Sequence, residues 1–185
     1  MTTTAAHAHQ LETVEAPGHM LTKTAAKVLA VTRLATGFIF LWAFLDKTFG
    51  LGYSTPSAKA WINGGSPTKG FLANVEAGPL KGFFHSIAGT PFANITFMLG
   101  MLAIGLALIL GIGLRVTAVA APLMMAFMWL AEWPLAAGSA NPAIDYHVIY
   151  ALAAILFALT YAGQTWGLGK IWANLSLVQK NRWLI

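Results

Sequence analysis

The sequence predicts an all-α protein built into a lipid bilayer, a four-helix membrane bundle with a long outer loop between its first and second helices. Three observations predict it. Hydrophobic residues make up 57% of the 185 residues and charged residues only 9%, whereas soluble globular domains carry about 25% charged residues. Four segments each hold about 20 mostly apolar residues, enough for a helix to cross the hydrocarbon core. The connection between the second and third is only GLR, residues 113 to 115, and so short a connection forces its helices to be antiparallel neighbours.

The first 27 residues, MTTTAAHAHQLETVEAPGHMLTKTAAK, form a polar tail, expected to be cytoplasmic and partly disordered. They lack the apolar stretch of a signal peptide, and His7 and His9 read as ordinary tail residues rather than metal ligands. The first span, 28 to 47, is VLAVTRLATGFIFLWAFLDK, closed by Asp46 and Lys47. Arg33 lies inside it. Its long side chain is expected to snorkel to the cytoplasmic surface, and an inward orientation would need a partner or a polar cavity.

The outer loop runs from about Thr48 to Pro91, long for a compact protein. Gly64-Gly65 and Gly78-Pro79 mark turns. Phe71, Leu72 and Val75, then Leu80, Phe83, Phe84 and Ile87, suit short interfacial helices. This aromatic content predicts a loop folded onto the bundle mouth rather than a disordered one.

The second span, 92 to 112, has Ala103, Ala107 and Gly111 at spacings of four, a face on which backbones can approach. The third, 116 to 135, contains Pro122, which removes one backbone donor and is expected to bend the helix. Glu132 stands between Trp129 and Trp133, which read as an interfacial belt. The fourth span is placed at 142 to 163, within NPAIDYHVIYALAAILFALTY. Asn141 is a good N-cap and Pro142 suits the first helical position. Asp145 would then lie in the first turn, where a negative charge favours the helix dipole. Residues 167 to 185 follow as an interfacial segment with Trp172, Trp183, Lys180 and Arg182.

Basic residues set the orientation. Lys23, Lys27, Arg115, Lys170, Lys180 and Arg182 fall on one side, and Lys47, Lys59, Lys69 and Lys81 on the other. The richer side is expected to be cytoplasmic, so both termini lie inside. Asp46, Glu76, Glu132, Asp145, His85 and His147 then share the outer face. The net charge of +5 reads as loops facing anionic lipid, since no basic run or RNA-binding motif points to nucleic acid.

The chain has no cysteine, which excludes disulfide exchange, thiolate catalysis, thiolate metal sites and cysteine-ligated iron–sulfur clusters. No HExxH, Walker or dinucleotide motif occurs. His85 and His147 are the only histidines of the membrane module, and neither is deep enough in a span for a bis-histidine haem. No metal is expected. Ionisable groups at membrane depth are site candidates by default, which singles out Asp145, His147 and Glu132. On a helix, residues two apart stand about 200° apart, so Asp145 and His147 cannot both face the bundle centre. His147 is expected to face inward and line an outer-side polar pocket, with Asp145 mainly supporting the helix start. Glu132 is expected at the rim or paired with Lys47 or His147.

The stretches RLATGFIFLWAFLDKTFG, WINGGSPTKGF, GIGLR and NPAIDYHVIYAL resemble the DoxX/DoxD family, in particular bacterial members labelled small or membrane subunits of thiosulfate:quinone oxidoreductase. The resemblance covers about residues 28 to 166. It implies a four-helix protein of the bacterial plasma membrane connected to the respiratory quinone pool. Some members resemble the DoxD subunit, which works with a DoxA partner in oxidising thiosulfate to tetrathionate. Residues 167 to 185 hold no DoxA-like part, so a partner subunit or larger membrane complex is expected. On this reading His147, Asp145 and Glu132 are the catalytic candidates. Arg33, Lys47, His85 and Trp61 are candidates for a quinone or substrate pocket, with quinone as the cofactor. The alternative is a non-catalytic accessory subunit docking on a larger redox complex through its aromatic loop and the segment IWANLSLVQKNRWLI. A small-solute carrier is a third reading, suggested by Pro122 and the buried charges.

Overall fold

The computed structural model describes residues 21–136, 138–139 and 141–185; His7 and His9 lie outside the described residues. The described elements are helical, with no strand among them. In chain order the α-helices are α1 (Lys23–Phe49), α2 (Lys69–Leu72), α3 (Lys81–Ile87), α4 (Pro91–Leu110), α5 (Leu114–Glu132), α6 (Tyr146–Leu159), α7 (Gly169–Ala173) and α8 (Ser176–Lys180).

Local sequence sets where the long helices begin and end. The hydroxyl of Thr22 accepts from the Ala25 N–H, and Gly50, at φ 65°, closes α1. The first apolar helix therefore starts five residues earlier than the apolar run alone indicates (Lys23 against Val28). Thr90 caps α4 in the same way, with Pro91 following at the first turn, and Gly111 ends it at φ 70°. Pro122 lies inside α5, whose helix continues to Glu132 and stops at Trp133, a left-handed residue at φ 43°.

The fourth apolar helix departs most from expectation. Asn141 does not cap it. The Asn141 carboxamide accepts from the N–H groups of Ala143 and Ile144, each at 3.0 Å, an Asx turn that holds Pro142 outside the helix. The cap passes to Asp145, in extended conformation, whose side chain accepts from the His147 and Val148 N–H groups. At the other end the chain turns at Tyr161, φ 49°, and continues as a 3₁₀ turn, Ala162–Gln164. The 14 residues of α6 span about 21 Å at 1.5 Å per residue, short of the roughly 30 Å hydrocarbon core. Among the described residues, α1, α4 and α5 are the three helices long and apolar enough, by length and composition, to cross a membrane.

Helix α1 packs along α4, and α5 along α6. Phe40 of α1, Ile104 and Leu108 of α4, Met125 of α5 and Phe157 of α6 meet in one buried cluster. The closest approach of α1 and α4 uses Gly37 and Gly105. A Cβ at Gly105 would lie 2.8 Å from the Leu41 backbone nitrogen, and one at Gly37 2.9 Å from Leu108 Cβ. The small-residue face expected at Ala103, Ala107 and Gly111 is not that contact, since Ala103 is exposed. The row that turns inward instead contains Met98, Met101, Gly105 and Leu108, because bulky apolar side chains fill the core while one glycine suffices for close approach. The outward faces are also apolar: Val119 is 69% exposed and Leu159 73%. Such surfaces are compatible with lipid as the surrounding solvent.

The bundle has two unlike ends. One is formed by the loop after α1 and the facing ends of α4, α5 and α6. There the Asp46 carboxylate is buried and accepts from Ser54 Oγ at 2.6 Å and from the Tyr53 and Ser54 N–H groups. Asn94 Oδ1, in the first turn of α4, accepts from Thr68 Oγ1 at 2.7 Å and Ser66 Oγ at 3.0 Å. Leu72, Val75 and Phe84 of the loop pack against Ala93 and Ala131. The loop thus sits on the bundle mouth, with short helices where the apolar spacing predicts them. The other end holds the start of α1, the Gly111–Gly113 connection and everything after Leu159.

Candidate functional site

Arg33 at one end and His147 at the other are both buried, and the two are treated very differently. Arg33 is 0% exposed. Its Nε donates to the Ala162 carbonyl at 3.2 Å. Nη1 donates to the carbonyls of Leu108 and, at 2.9 Å, Ile109. Nη2 donates to those of Thr165 at 3.2 Å and Trp166 at 2.9 Å. All five guanidinium N–H groups have an acceptor.

These bonds close an account that a helix end leaves open. The last four carbonyls of a helix lack intrahelical partners. For α4, Ala107 accepts from the Gly111 and Ile112 N–H groups, and Leu110 from the Leu168 N–H. Leu108 and Ile109 accept from Arg33. The same guanidinium serves the non-helical carbonyls of Ala162, Thr165 and Trp166 after α6. Glycines admit it: a Cβ at Gly163 would meet the Gly111 oxygen at 2.1 Å, and one at Gly167 would lie 3.1 Å from Arg33 Nη2. Arg33 therefore does not snorkel to the surface. Nor does it join His147 in one pocket with the other quinone or substrate candidates, because it bonds to the end of α6 opposite His147, about 20 Å away along that helix.

At the other end, His147 is 1% exposed. Its Nδ1 lies 2.8 Å from Asp145 Oδ2. An ionised carboxylate only accepts, so Nδ1 donates, and Nε2 is the nitrogen left to face a partner. Nε2 is buried with no hydrogen-bond partner among the described residues. Asp145 Oδ1 accepts from the His147 backbone N–H at 3.0 Å. One carboxylate thus caps the helix and orients the ring. The separation expected from a helical wheel does not apply, because Asp145 precedes the helix and has extended backbone, φ −115° and ψ −171°. Partial burial pushes the Asp145 carboxyl up, but the His147 ring and the two backbone N–H groups outweigh it and hold it below the usual carboxylate range.

Glu132, exposed at the end of α5, accepts from the Tyr146 hydroxyl at 2.7 Å. That bond ties the end of α5 to the start of α6. The Tyr146 ring lies against the His147 ring, centroids 4.0 Å apart. One ligand atom each from Glu132, Asp145 and His147 fall within 4.8 Å of one another. Three such donors are a set that a divalent cation can use, although Nδ1 is committed to Asp145. The buried donor atom left uncommitted is Nε2. The Trp129 indole N–H, one turn before Glu132, is likewise buried without a partner among the described residues.

The remaining expected pocket residues do not join this group. Lys47 is half-buried and makes no hydrogen bond or ion pair recorded among the described residues. Glu132 pairs with Tyr146 rather than with it. His85 Nε2 bonds to the Val75 carbonyl at 2.9 Å and holds the loop together. Trp61 opens the 3₁₀ turn Trp61–Asn63, which packs on α1. Sequence reasoning missed Tyr146 and the Trp129 N–H. The signal for Tyr146 was its place between Asp145 and His147.

The chain matches no protein-family model, no curated protein and no solved structure.

Proposed function

We propose that this chain is a multi-pass membrane subunit of four spans, with cytoplasmic termini in a bacterial plasma membrane, linked to the respiratory quinone pool in the manner of the DoxX/DoxD family. α6 and the irregular residues after it, secured by Arg33, would form the fourth span. A partner subunit would supply thiosulfate oxidation. The observation that carries the reading is the buried, unpartnered Nε2 of His147, with the opposite ring nitrogen fixed by Asp145.

An unpaired buried polar atom costs about 1–3 kcal/mol, and a ligand that bonds to it relieves the cost. A quinol hydroxyl needs an acceptor and a quinone carbonyl needs a donor. A single imidazole nitrogen serves as either, according to its protonation. Quinone, when bound, supplies the electron-accepting chemistry. His147 would hold or release the proton at Nε2, and Asp145 would stabilise the imidazolium and prevent the ring from turning. Tyr146 and Glu132 would close the polar rim. An apolar groove along Ile149, Leu152 and Leu156 begins three residues beyond Tyr146 on the same helix face and suits an isoprenoid tail.

The test is quinone-analogue binding by the purified protein and by its His147→Ala variant, alongside thiosulfate-dependent quinone reduction with candidate partners. The reading expects binding by the parent chain and a roughly 10- to 100-fold loss in the variant, the value of one buried hydrogen bond. Binding unchanged in His147→Ala would remove the histidine from the function. It would favour the alternative of a non-catalytic docking subunit.

A further inference from the structure

The Arg33 end carries a charge asymmetry that neither Arg33 nor the His147 site uses. Lys23, Lys27, Arg33, Arg115, Lys170, Lys180 and Arg182 all lie there, with no aspartate or glutamate among the described residues of that end. All four described acids, Asp46, Glu76, Glu132 and Asp145, belong to the opposite end. Arg33 and Arg115 are engaged internally. Arg33 is held by carbonyls, and Arg115 donates to the Arg182 carbonyl and the Tyr161 hydroxyl, each at 3.0 Å. Lys23, Lys27, Lys170 and Lys180 are exposed and form no ion pair recorded among the described residues.

Lys170 and Lys180 belong to a fixed apolar collar. The segment after α6 is not a loose tail. The Leu168 N–H donates to Leu110 and the Arg115 N–H to the Ile185 carbonyl, both at 2.7 Å, the Trp172 indole N–H donates to Leu184, and Val178 is fully buried. Yet the same segment presents Ile171 (67% exposed), Leu177 (62%) and Trp183 (63%) outward. Short helices with apolar side chains, tryptophan and lysine facing out together suit the headgroup layer, where the ring and alkyl groups enter the acyl boundary and the ammonium groups meet phosphate.

We infer that α7, α8 and the start of α1 form a binding surface for anionic phospholipid headgroups, with Lys170, Lys180, Lys23 and Lys27 as the phosphate-facing groups. The inference rests on the membrane reading above but not on the quinone reading. Each lysine held near an anionic surface strengthens binding about fivefold.

The test is native mass spectrometry of the detergent-purified chain, comparing retention of phosphatidylglycerol with that of phosphatidylcholine. Preferential retention of phosphatidylglycerol is expected, with a roughly tenfold or greater loss in the Lys170→Gln/Lys180→Gln double variant. Lys59→Gln/Lys81→Gln, at the opposite end, should keep the preference. If the first double variant does not fold, Lys23→Gln/Lys27→Gln supplies the same comparison. Equal retention of the two lipids, or loss of the preference only in Lys59→Gln/Lys81→Gln, overturns the inference while leaving the membrane reading standing. Release of the chain from membranes by alkaline carbonate overturns both.

Discussion

Arg33 and His147 are both almost wholly buried, at opposite ends of α6, yet one has every donor used and the other keeps a nitrogen free. Arg33 is enclosed by five backbone carbonyls. His147 is fixed through Nδ1 while Nε2 has no partner among the described residues. The difference separates two meanings of a buried polar group. A fully bonded one specifies the fold, and its worth lies in what its removal would orphan. A half-bonded one holds a free-energy cost that a ligand can relieve.

The largest effect should come from breaking the satisfied end. Arg33→Met leaves carbonyls of α4 and of the segment after α6 unpaired, and at about 1–3 kcal/mol for each orphaned group several groups together should abolish folding or sharply lower the melting temperature in detergent. Arg33→Lys should rescue little, because an ammonium is a point donor without the planar fork. Full rescue by lysine would show that charge, and not the five-carbonyl geometry, matters.

Gly163→Ala tests the same end without touching a charge. Its Cβ would sit 2.1 Å from the Gly111 oxygen, whereas Gly70 has nothing within 4 Å of its own. Gly163→Ala should cost roughly 1–3 kcal/mol of stability from overpacking. Gly70→Ala should stay within about 0.5 kcal/mol. Chemical denaturation of both variants decides it, and equal costs would break the claim that the backbones meet at Gly163.

The His147 end should respond in the opposite way. His147→Ala should reduce quinone-analogue binding far more than it reduces stability, because it removes an unsatisfied nitrogen along with a satisfied one. A stability loss as large as that of Arg33→Met would erase the contrast.

The smallest effect is the pH dependence of Asp145. Its carboxyl is held low in the folded protein. The stabilisation is therefore present above its unfolded value of about 3.9 and disappears as pH falls through the lowered folded value. Melting temperature should fall more steeply on acidification below about pH 4 in the parent chain than in Asp145→Asn. Parallel acid profiles would separate the carboxylate from the cap.

Much of the fold is legible in the sequence because its strongest signals are long or local. The apolar runs place α1, α4 and α5, although α1 starts five residues before its run (Lys23 against Val28). The loop helices follow from the spacing of Phe71 to Ile87. The failures share a cause. Asn141 competes with Asp145 as a cap, and one-dimensional rules favour the earlier residue when Pro follows it, which puts Asp145 in a turn that it in fact precedes. Arg33 looks like a snorkelling residue because its partners, Leu108, Ile109, Ala162, Thr165 and Trp166, are backbone atoms far along the chain. No side-chain pattern announces a carbonyl. The grouping of Glu132, Asp145 and His147 was visible as shared level in the bundle. The bond from Nδ1 to Asp145, and the free Nε2 that it leaves, depend on a backbone angle at Asp145 that no periodicity encodes.

The central claim is that Nε2 of His147 is the atom held open for a ligand. It is tested most directly by nitrogen NMR of the chain labelled with ¹⁵N-histidine, the His147 signals being those lost in His147→Ala, before and after addition of a quinone analogue. The account expects Nδ1 to remain protonated and hydrogen-bonded throughout, and the Nε2 resonance to move on addition. An Nε2 resonance that stays in place while the analogue demonstrably binds, or an Nδ1 that is unprotonated from the start, would contradict it.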